Sequence, residues 1–375
     1  QDESVTIGND LFQVVFDRET GQMTQLKYEN ESLLHSALKP NFWRAPTLND
    51  QADDRALPRW KKAGLQHLTS KADVIEAEQM PDGTVHFRTM QRMIDLYGNT
   101  QLIVEQLFVI YGNGEIVVRN RVEPMEDIST LPKIGLQMQM PLGYNKLTYF
   151  GKDTENYPDR NASGRLGRYT VKASELFEQH VVPQDNGNHS DTRWLVLENA
   201  TTKLGVFVTS DKPFHFSTYP YDDAALTQAR RTHQLDRSDG LTVNVDYRQA
   251  PLGTATCGPG VKESEVLKNQ VYEFSVRIKP YRVDKENPTE LSYYATPNPS
   301  GVLAPTPTIH ADIDDTENAL FNRPAVITLS CGDPSAKIYY TLDPDARKPI
   351  LYKKPFVIDK TCTLRVFATQ KGKEN

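Results

Sequence analysis

An all-β fold in two bodies is what this sequence predicts, a large antiparallel sandwich followed by a small immunoglobulin-like one. Three observations carry that expectation. Short apolar and polar alternations recur along the chain, turn residues punctuate them, and a proline-bearing stretch near residue 300 separates two textures.

Alternation of period two, rich in β-branched and aromatic residues, marks 11–16, 85–88, 102–110, 116–119, 195–197, 204–208 and 272–278. Between them stand Gly21, Pro81-Asp82-Gly83, Gly112-Asn113-Gly114 and Gly143. Tyr111-Gly112-Asn113-Gly114-Glu115 is the clearest hairpin, because Gly and Asn tolerate the positive φ of a tight turn. Helical signal is confined to 53–63 and 222–231, where an acidic start precedes good helix formers, and Pro58 is expected to interrupt the first. The texture changes at Asp284. Residues 1–283 are read as the first domain, 284–305 as a linker bearing Pro288, Pro297, Pro299 and Pro305, and 306–375 as a small accessory sandwich. Its strand signals fall at 325–329, 336–342, 351–358 and 363–368, a count that suits an immunoglobulin-like module near the lower size limit for independent stability.

At 375 residues the chain exceeds one ordinary domain. Hydrophobic residues make up 38% and charged residues 25%, with a net charge of −6 and both signs mixed, which suits a globular protein with a substantial core. No basic tract offers a nucleic-acid footprint, and the longest apolar runs fall far short of the roughly 20 residues that cross a bilayer. Neither partner is expected. The opening at Gln1 has no basic n-region or apolar h-region, so any targeting signal of a parent protein is read as lying outside the sequence. Cys257, Cys331 and Cys362 form no Cys-x-x-Cys or His-paired cluster, so no metal site is expected, while a Cys331–Cys362 bridge and a pair of thiols both remain open.

Three strings are long and unusual: Asn41-Phe42-Trp43-Arg44-Ala45-Pro46-Thr47-Leu48-Asn49-Asp50, Thr154-Glu155-Asn156-Tyr157-Pro158-Asp159-Arg160, and Gly253-Thr254-Ala255-Thr256-Cys257-Gly258-Pro259-Gly260. With Pro183-Gln184-Asp185-Asn186-Gly187-Asn188 and Asp191-Thr192-Arg193-Trp194, they resemble the carboxy-terminal supersandwich of glycoside hydrolase family 2 β-galactosidases, over about residues 3–282. The tail, with Ile338-Tyr339-Tyr340-Thr341-Leu342-Asp343 and Leu351-Tyr352-Lys353-Lys354-Pro355-Phe356, is similar to the chitobiase/β-hexosaminidase C-terminal domain. The first resemblance implies a galactose-mutarotase-like supersandwich that lends a rim to a galactose pocket formed mainly by a (β/α)8 barrel. Both carboxyl groups of a retaining glycosidase would then sit in that barrel. No catalytic residue is assigned here. The implied partners are the remaining domains and a galactoside, and any magnesium or sodium would belong to those other domains. A bacterial source is implied, with periplasmic or exported localisation and homo-oligomerisation of the parent left open.

By the same resemblance the residues nearest substrate are Asn49, Asp50 and Cys257. The loop after Pro46 is similar to a mobile segment of the family, in which Asn49 and Asp50 face the pocket or brace the loop. Leu48 replaces a frequent acidic residue, and Gln51-Ala52 replaces a glycine-containing step, which leaves this loop fewer backbone conformations. Cys257 falls where some relatives place a tryptophan, so it offers less stacking area to a sugar.

The remaining chemistry-bearing residues favour structural readings. Glu155 is expected to accept backbone donors in a turn, Asp159 to pair with a neighbouring Arg, and Arg44 to anchor its loop through a carboxylate. His189, His215 and His233 would have to converge with a carboxylate for a self-sufficient mutarotase-type enzyme. Trp43, Trp60 and Trp194 are read as core. Alternation sends Tyr339 and Tyr340 to opposite faces, and the exposed one is a glycan-binding candidate if the tail is a binding module. Four Asn-x-Ser/Thr tripeptides begin at Asn30, Asn161, Asn188 and Asn199 and are taken as accidental in a bacterial protein.

Overall fold

A computed structural model describes residues 3–52, 56–81, 83–293, 307–312, 323–331, 336–342, 349–360, 362 and 364–369. The chain divides into two compact units, Gln1–Thr296 and Pro297–Asn375.

The first unit opens with β1 (Ser4–Gly8), β2 (Phe12–Asp17), β3 (Met23–Tyr28), β4 (Glu31–Ser32) and β5 (Ser36–Asn41). The short helices α1 (Leu48–Ala52) and α2 (Ala56–Lys62) follow, then β6 (Thr69–Gln79), β7 (Val85–Ile94), β8 (Thr100–Ile110) and β9 (Ile116–Pro124). Next come β10 (Lys133–Pro141), β11 (Lys146–Lys152), β12 (Leu166–Lys172), β13 (His189–Glu198) and β14 (Leu204–Tyr219). The unit closes with α3 (Asp223–Gln228), β15 (Gly240–Gln249), β16 (Tyr272–Arg282) and α4 (Pro288–Leu291). Neighbouring strands pair in the order β1-β2-β3-β5-β10-β15-β14-β16-β9-β8-β7-β6, with β13, β11 and β12 branching from β14.

The two ends of this path meet. Phe16 on β2 stacks on Phe87 of β7 at 3.8 Å between centroids, and Phe108 of β8 sets its edge against Phe16 at 4.8 Å. A single antiparallel sheet therefore curls over itself into a supersandwich, because the apolar faces of its first and last strands can leave water only against each other. Residues 111–115 form the expected hairpin. Tyr111 N donates to Glu115 O and Gly114 N to Tyr111 O, each at 2.9 Å, with Gly114 at φ 82°. Pro58 does not interrupt α2. It occupies the first turn, where the missing N–H has no intrahelical acceptor to lose.

Central strands β10 and β15 are buried along almost their whole length although they carry Lys133, Gln137, Asn244, Asp246 and Gln249. The first four pair with one another: Lys133 Nζ lies 2.9 Å from Asn244 Oδ1 and 3.4 Å from Asp246 Oδ2, and Gln137 Nε2 donates to Asn244 Oδ1 at 3.0 Å. Of the segment read as a linker, 284–293 is described and contains α4. Leu291 is buried with Trp194, Phe207 and Tyr281, and its carbonyl accepts Arg277 Nη1 at 3.0 Å. Residues 294–305 lie outside the described residues.

The second unit has β17 (Thr308–Ala311), β18 (Ala325–Ser330), β19 (Lys337–Thr341), β20 (Ile350–Leu351), β21 (Phe356–Ile358) and β22 (Arg365–Thr369). They form two three-stranded sheets, β17-β18-β21 and β20-β19-β22. Ala325, Ile327 and Leu329 make its core, and Tyr340 stacks on Phe356 at 4.1 Å. Cys331 and Cys362 are thiols and no disulfide joins them.

Candidate functional site

Two of the three unusual strings, 41–50 and 154–160, meet at one charged side chain, which also binds the chain just ahead of the third. Arg44 is fully buried, and its Nη2 and Nε donate to Asp50 Oδ1 at 2.7 Å and Oδ2 at 3.2 Å. Its Nη1 donates to Ala250 O at 2.6 Å, and its guanidinium carbon lies 5.4 Å from the Trp60 ring and 5.8 Å from the Tyr157 ring. A guanidinium carries five donors in a rigid plane, which is why one residue can tie together segments more than 200 positions apart. Burial works against its charge, yet the Asp50 and Asp185 carboxylates prevail and hold its pKa above the ordinary value.

Asp50 completes the clamp from α1. Its Oδ2 also accepts Thr47 N at 2.9 Å and Thr47 Oγ1 at 3.0 Å, so the 44–50 loop is closed on itself. Asp185 joins from the other side. Its amide donates to Ala45 O at 2.9 Å, while its Oδ2 accepts Tyr157 Oη at 2.8 Å and Gln249 Nε2 at 3.2 Å. Burial raises the Asp185 pKa to about 6 against the opposing pull of Arg44 and Lys133. Tyr157 is pushed well above its usual value, first by burial and then by Asp185.

In front of this clamp opens a cleft of about 410 Å³ lined by Thr47, Asn49, Glu155, Gln184, Asp185 and Thr256 among others. Asn49 lines it and also braces it: Nδ2 donates to Gly253 O at 2.9 Å, and Oδ1 accepts Thr256 Oγ1 at 2.7 Å. Asp50 lies behind the surface, 2% exposed. Cys257 is exposed in the adjoining turn, its amide donating to Thr254 O at 3.0 Å, one residue beyond Thr256. Glu155 Oε1 accepts Gly187 N at 2.9 Å, and burial raises its pKa while that N–H opposes the rise. Asp159 departs from the expected ion pair with a neighbouring Arg. It accepts Leu252 N at 3.1 Å and Gly253 N at 2.9 Å instead, because the 252–253 turn brings two amides to it. Gly253 is required there: φ is +63°, and a Cβ would stand 2.8 Å from Val261 N.

The tryptophans are core residues, all 6% exposed or less. His189 stacks on Phe216 at 5.1 Å and bonds Gly187 O through Nδ1, His215 bonds Ser190 Oγ, and His233 is exposed in the turn Thr232–Gln234. Among the described residues no group of three His, Cys, Asp or Glu side chains could hold a metal ion. Sequence reasoning passed over Lys133, Asp246 and Gln249; the one signal that touches their network is the 183–188 string, which supplies Asp185.

A family profile described as "Beta galactosidase small chain" matches residues 8–278, the span that holds the clamp and the cleft. The chain belongs to the β-galactosidase small-chain family. A profile described as "Fn3 associated" matches 327–375. Among curated relatives, the β-galactosidase of Actinobacillus pleuropneumoniae is 28% identical over 276 residues, which are 73% of this chain and 26% of that protein. That of Priestia megaterium is 27% identical over 255 residues, 67% of this chain and 24% of that protein. The chain thus spans about a quarter of the length of the curated β-galactosidases it matches. Solved structures similar to it include a galactose mutarotase-like protein from Lactobacillus casei, with a TM-score of 0.41 at 9% identity over 74% of this chain and 100% of that one. A galactose 1-epimerase from Lactobacillus acidophilus has a TM-score of 0.37 at 10% identity, covering 74% of this chain and 94% of that one.

Proposed function

We infer that this β-galactosidase domain forms a wall of the galactose pocket in a larger retaining enzyme, while the two carboxyl groups that break the glycosidic bond belong to other polypeptide. One observation carries the reading. Among the described residues every carboxylate at the 410 Å³ cleft or its clamp already accepts hydrogen bonds from this domain: Asp50 from Arg44 and Thr47, Asp185 from Tyr157 and Gln249, Glu155 from Gly187, and Asp159 from Leu252 and Gly253. A retaining glycosidase needs one carboxylic acid able to give its proton and one carboxylate open to attack, about 5–5.5 Å apart. Groups committed to amides and guanidinium serve rigidity better than either role.

In this reading Arg44 and Asp50 fix the loop, Asn49 presents its amide at the rim, and Cys257 meets the sugar or its leaving group with little apolar area. The remaining domains of the enzyme supply the rest of the pocket. A β-galactosidase that carries this domain tests the rim assignment through Asn49→Ala. The Michaelis constant for a nitrophenyl galactoside should rise several-fold with little change in kcat, the signature of lost ground-state binding. A thousand-fold fall in kcat with an unchanged melting temperature would instead place Asn49 in the chemistry, roughly the loss that follows removal of one transition-state donor.

A further inference from the structure

Lys133, Asn244 and Asp246 lie fully buried on the central strands β10 and β15. Gly135 pairs with Asp246 and Gln137 with Asn244 across those strands. A Cβ at position 135 would stand 2.3 Å from Asp246 Oδ1, so the glycine lets that carboxyl lie against β10, within reach of Lys133. Lys133 Nζ then lies 2.9 Å from Asn244 Oδ1 and 3.4 Å from Asp246 Oδ2. With a carbonyl bond of about 1.2 Å, Nζ is no farther than about 4.1 Å from Asn244 Cγ, close to the roughly 3–3.5 Å of a near-attack pair.

Both polar atoms of the Asn244 amide are held. Besides Nζ, Oδ1 accepts Gln137 Nε2 at 3.0 Å and Asn41 Nδ2 at 3.3 Å, while Nδ2 donates to Tyr219 Oη at 2.8 Å and Ser217 Oγ at 3.1 Å. Two fixed N–H donors on a carbonyl oxygen away from bulk water polarise its carbon, and they stabilise the charge that an attacking amine would place on that oxygen. The three buried residues thus bring together a primary amine, an amide carbon to receive it, and a carboxyl beside the amine to move protons. Burial raises the Asp246 pKa to about 7, so its carboxyl can both take a proton and return it.

We propose that Lys133 and Asn244 join in an intramolecular isopeptide bond, with Asp246 as the proton carrier. Asp246 Oδ2 takes one proton from the Lys133 ammonium, and Nζ attacks Asn244 Cγ. The Nζ–Cγ bond forms, the Cγ–Nδ2 bond breaks, and Nδ2 leaves as ammonia. Of the two protons that Nζ gives up, one leaves with Nδ2 and the other stays on Asp246; nothing is oxidised or reduced. The Lys133–Asp246 ion pair is the state that precedes the bond, and the product ties β10 to β15 by a link that no reductant opens. This covalent site goes beyond the galactose-pocket reading, because it uses neither Asn49 nor the 410 Å³ cleft.

Mass spectrometry of a tryptic digest of the 375-residue chain tests it. Trypsin does not cut after an acylated lysine, so residues 122–146 should appear uncut at Lys133, joined to 238–248 and lighter by one ammonia than the two peptides together. The digest decides rather than the intact mass, because Gln1 also loses ammonia when it cyclises. Lys133→Arg keeps a cation beside Asp246 and should abolish the joined species. Asp246→Asn should lower the joined fraction at least about tenfold, a modest share of what proton transfer by a placed side chain contributes. Should either variant lower the melting temperature, the wild-type digest decides alone. The proposal is overturned if the wild type yields 122–133 and 238–248 only as separate peptides, or if folded Asp246→Asn joins them as completely as the wild type.

Discussion

Both halves of the large sheet bury polar side chains, Gln91, Gln106 and Asn120 as a neutral ladder in one and Lys133 with Asp246 as an ion pair in the other. In β7, β8 and β9 the inward face is built around Phe87, Phe108 and Val118, and the sheet closes when Phe16 stacks on Phe87. In β10, β14 and β15 Lys133, Asn244 and Asp246 are buried and joined by hydrogen bonds, His215 bonds Ser190 and Gln249 bonds Asp185. A buried apolar position is tolerant, because a side chain of similar volume can repack. A buried paired polar position is not, because removing one member leaves its partner buried and unpaired.

Substitution at equal depth sharpens the contrast. Asp50→Ala leaves the Arg44 guanidinium without its carboxylate and should cost about 3–5 kcal/mol in urea unfolding. Phe87→Leu, equally buried but apolar, should cost less than about 1.5 kcal/mol. Equal losses for the two would erase the distinction between apolar and paired polar burial.

A smaller effect follows from protonation. Burial raises the Asp246 pKa from 3.8 to about 7 despite the attraction of Lys133. The folded chain thus keeps a proton that the unfolded chain gives up. Its carboxyl weighs against folding increasingly as pH climbs from about 4 to about 7, and the penalty is complete above that window. Asp246→Asn removes the titration, so the stability of the wild type relative to this variant should fall across pH 4–7 and then level off. A flat difference, measured by denaturation at several pH values, would remove Asp246 as the titrating group. The smallest effect is expected at exposed Cys257, where Cys257→Ser should leave stability within about 0.5 kcal/mol. A loss of several kcal/mol would make that turn a structural element.

The same division sets what could be read in the sequence. Strand β7 was legible because its apolar positions alternate with polar ones in the pattern of a half-buried strand, and the 111–115 hairpin because its glycines leave little choice of turn. Strands β10 and β15 escaped notice, since Lys133, Gln137, Asn244 and Asp246 carry the composition of a surface and only their cross-strand partners make them core. Edge strand β6 was missed for the opposite reason, being exposed along much of its length. The Arg44 clamp was visible only in part. An anchoring carboxylate was expected, but nothing in the spacing shows that Ala250, 206 residues away, closes the same guanidinium. Asp159 shows the limit of pairing by charge, because its partners are backbone amides that no residue type announces.

Purified chain incubated with a chromogenic β-galactoside is the most direct measurement of the central claim, that the clamp and cleft position a sugar without cleaving it. The account predicts release of nitrophenol at the rate of the buffer alone. Turnover that survives purification to homogeneity and disappears in Glu155→Gln or Asp185→Asn would contradict it.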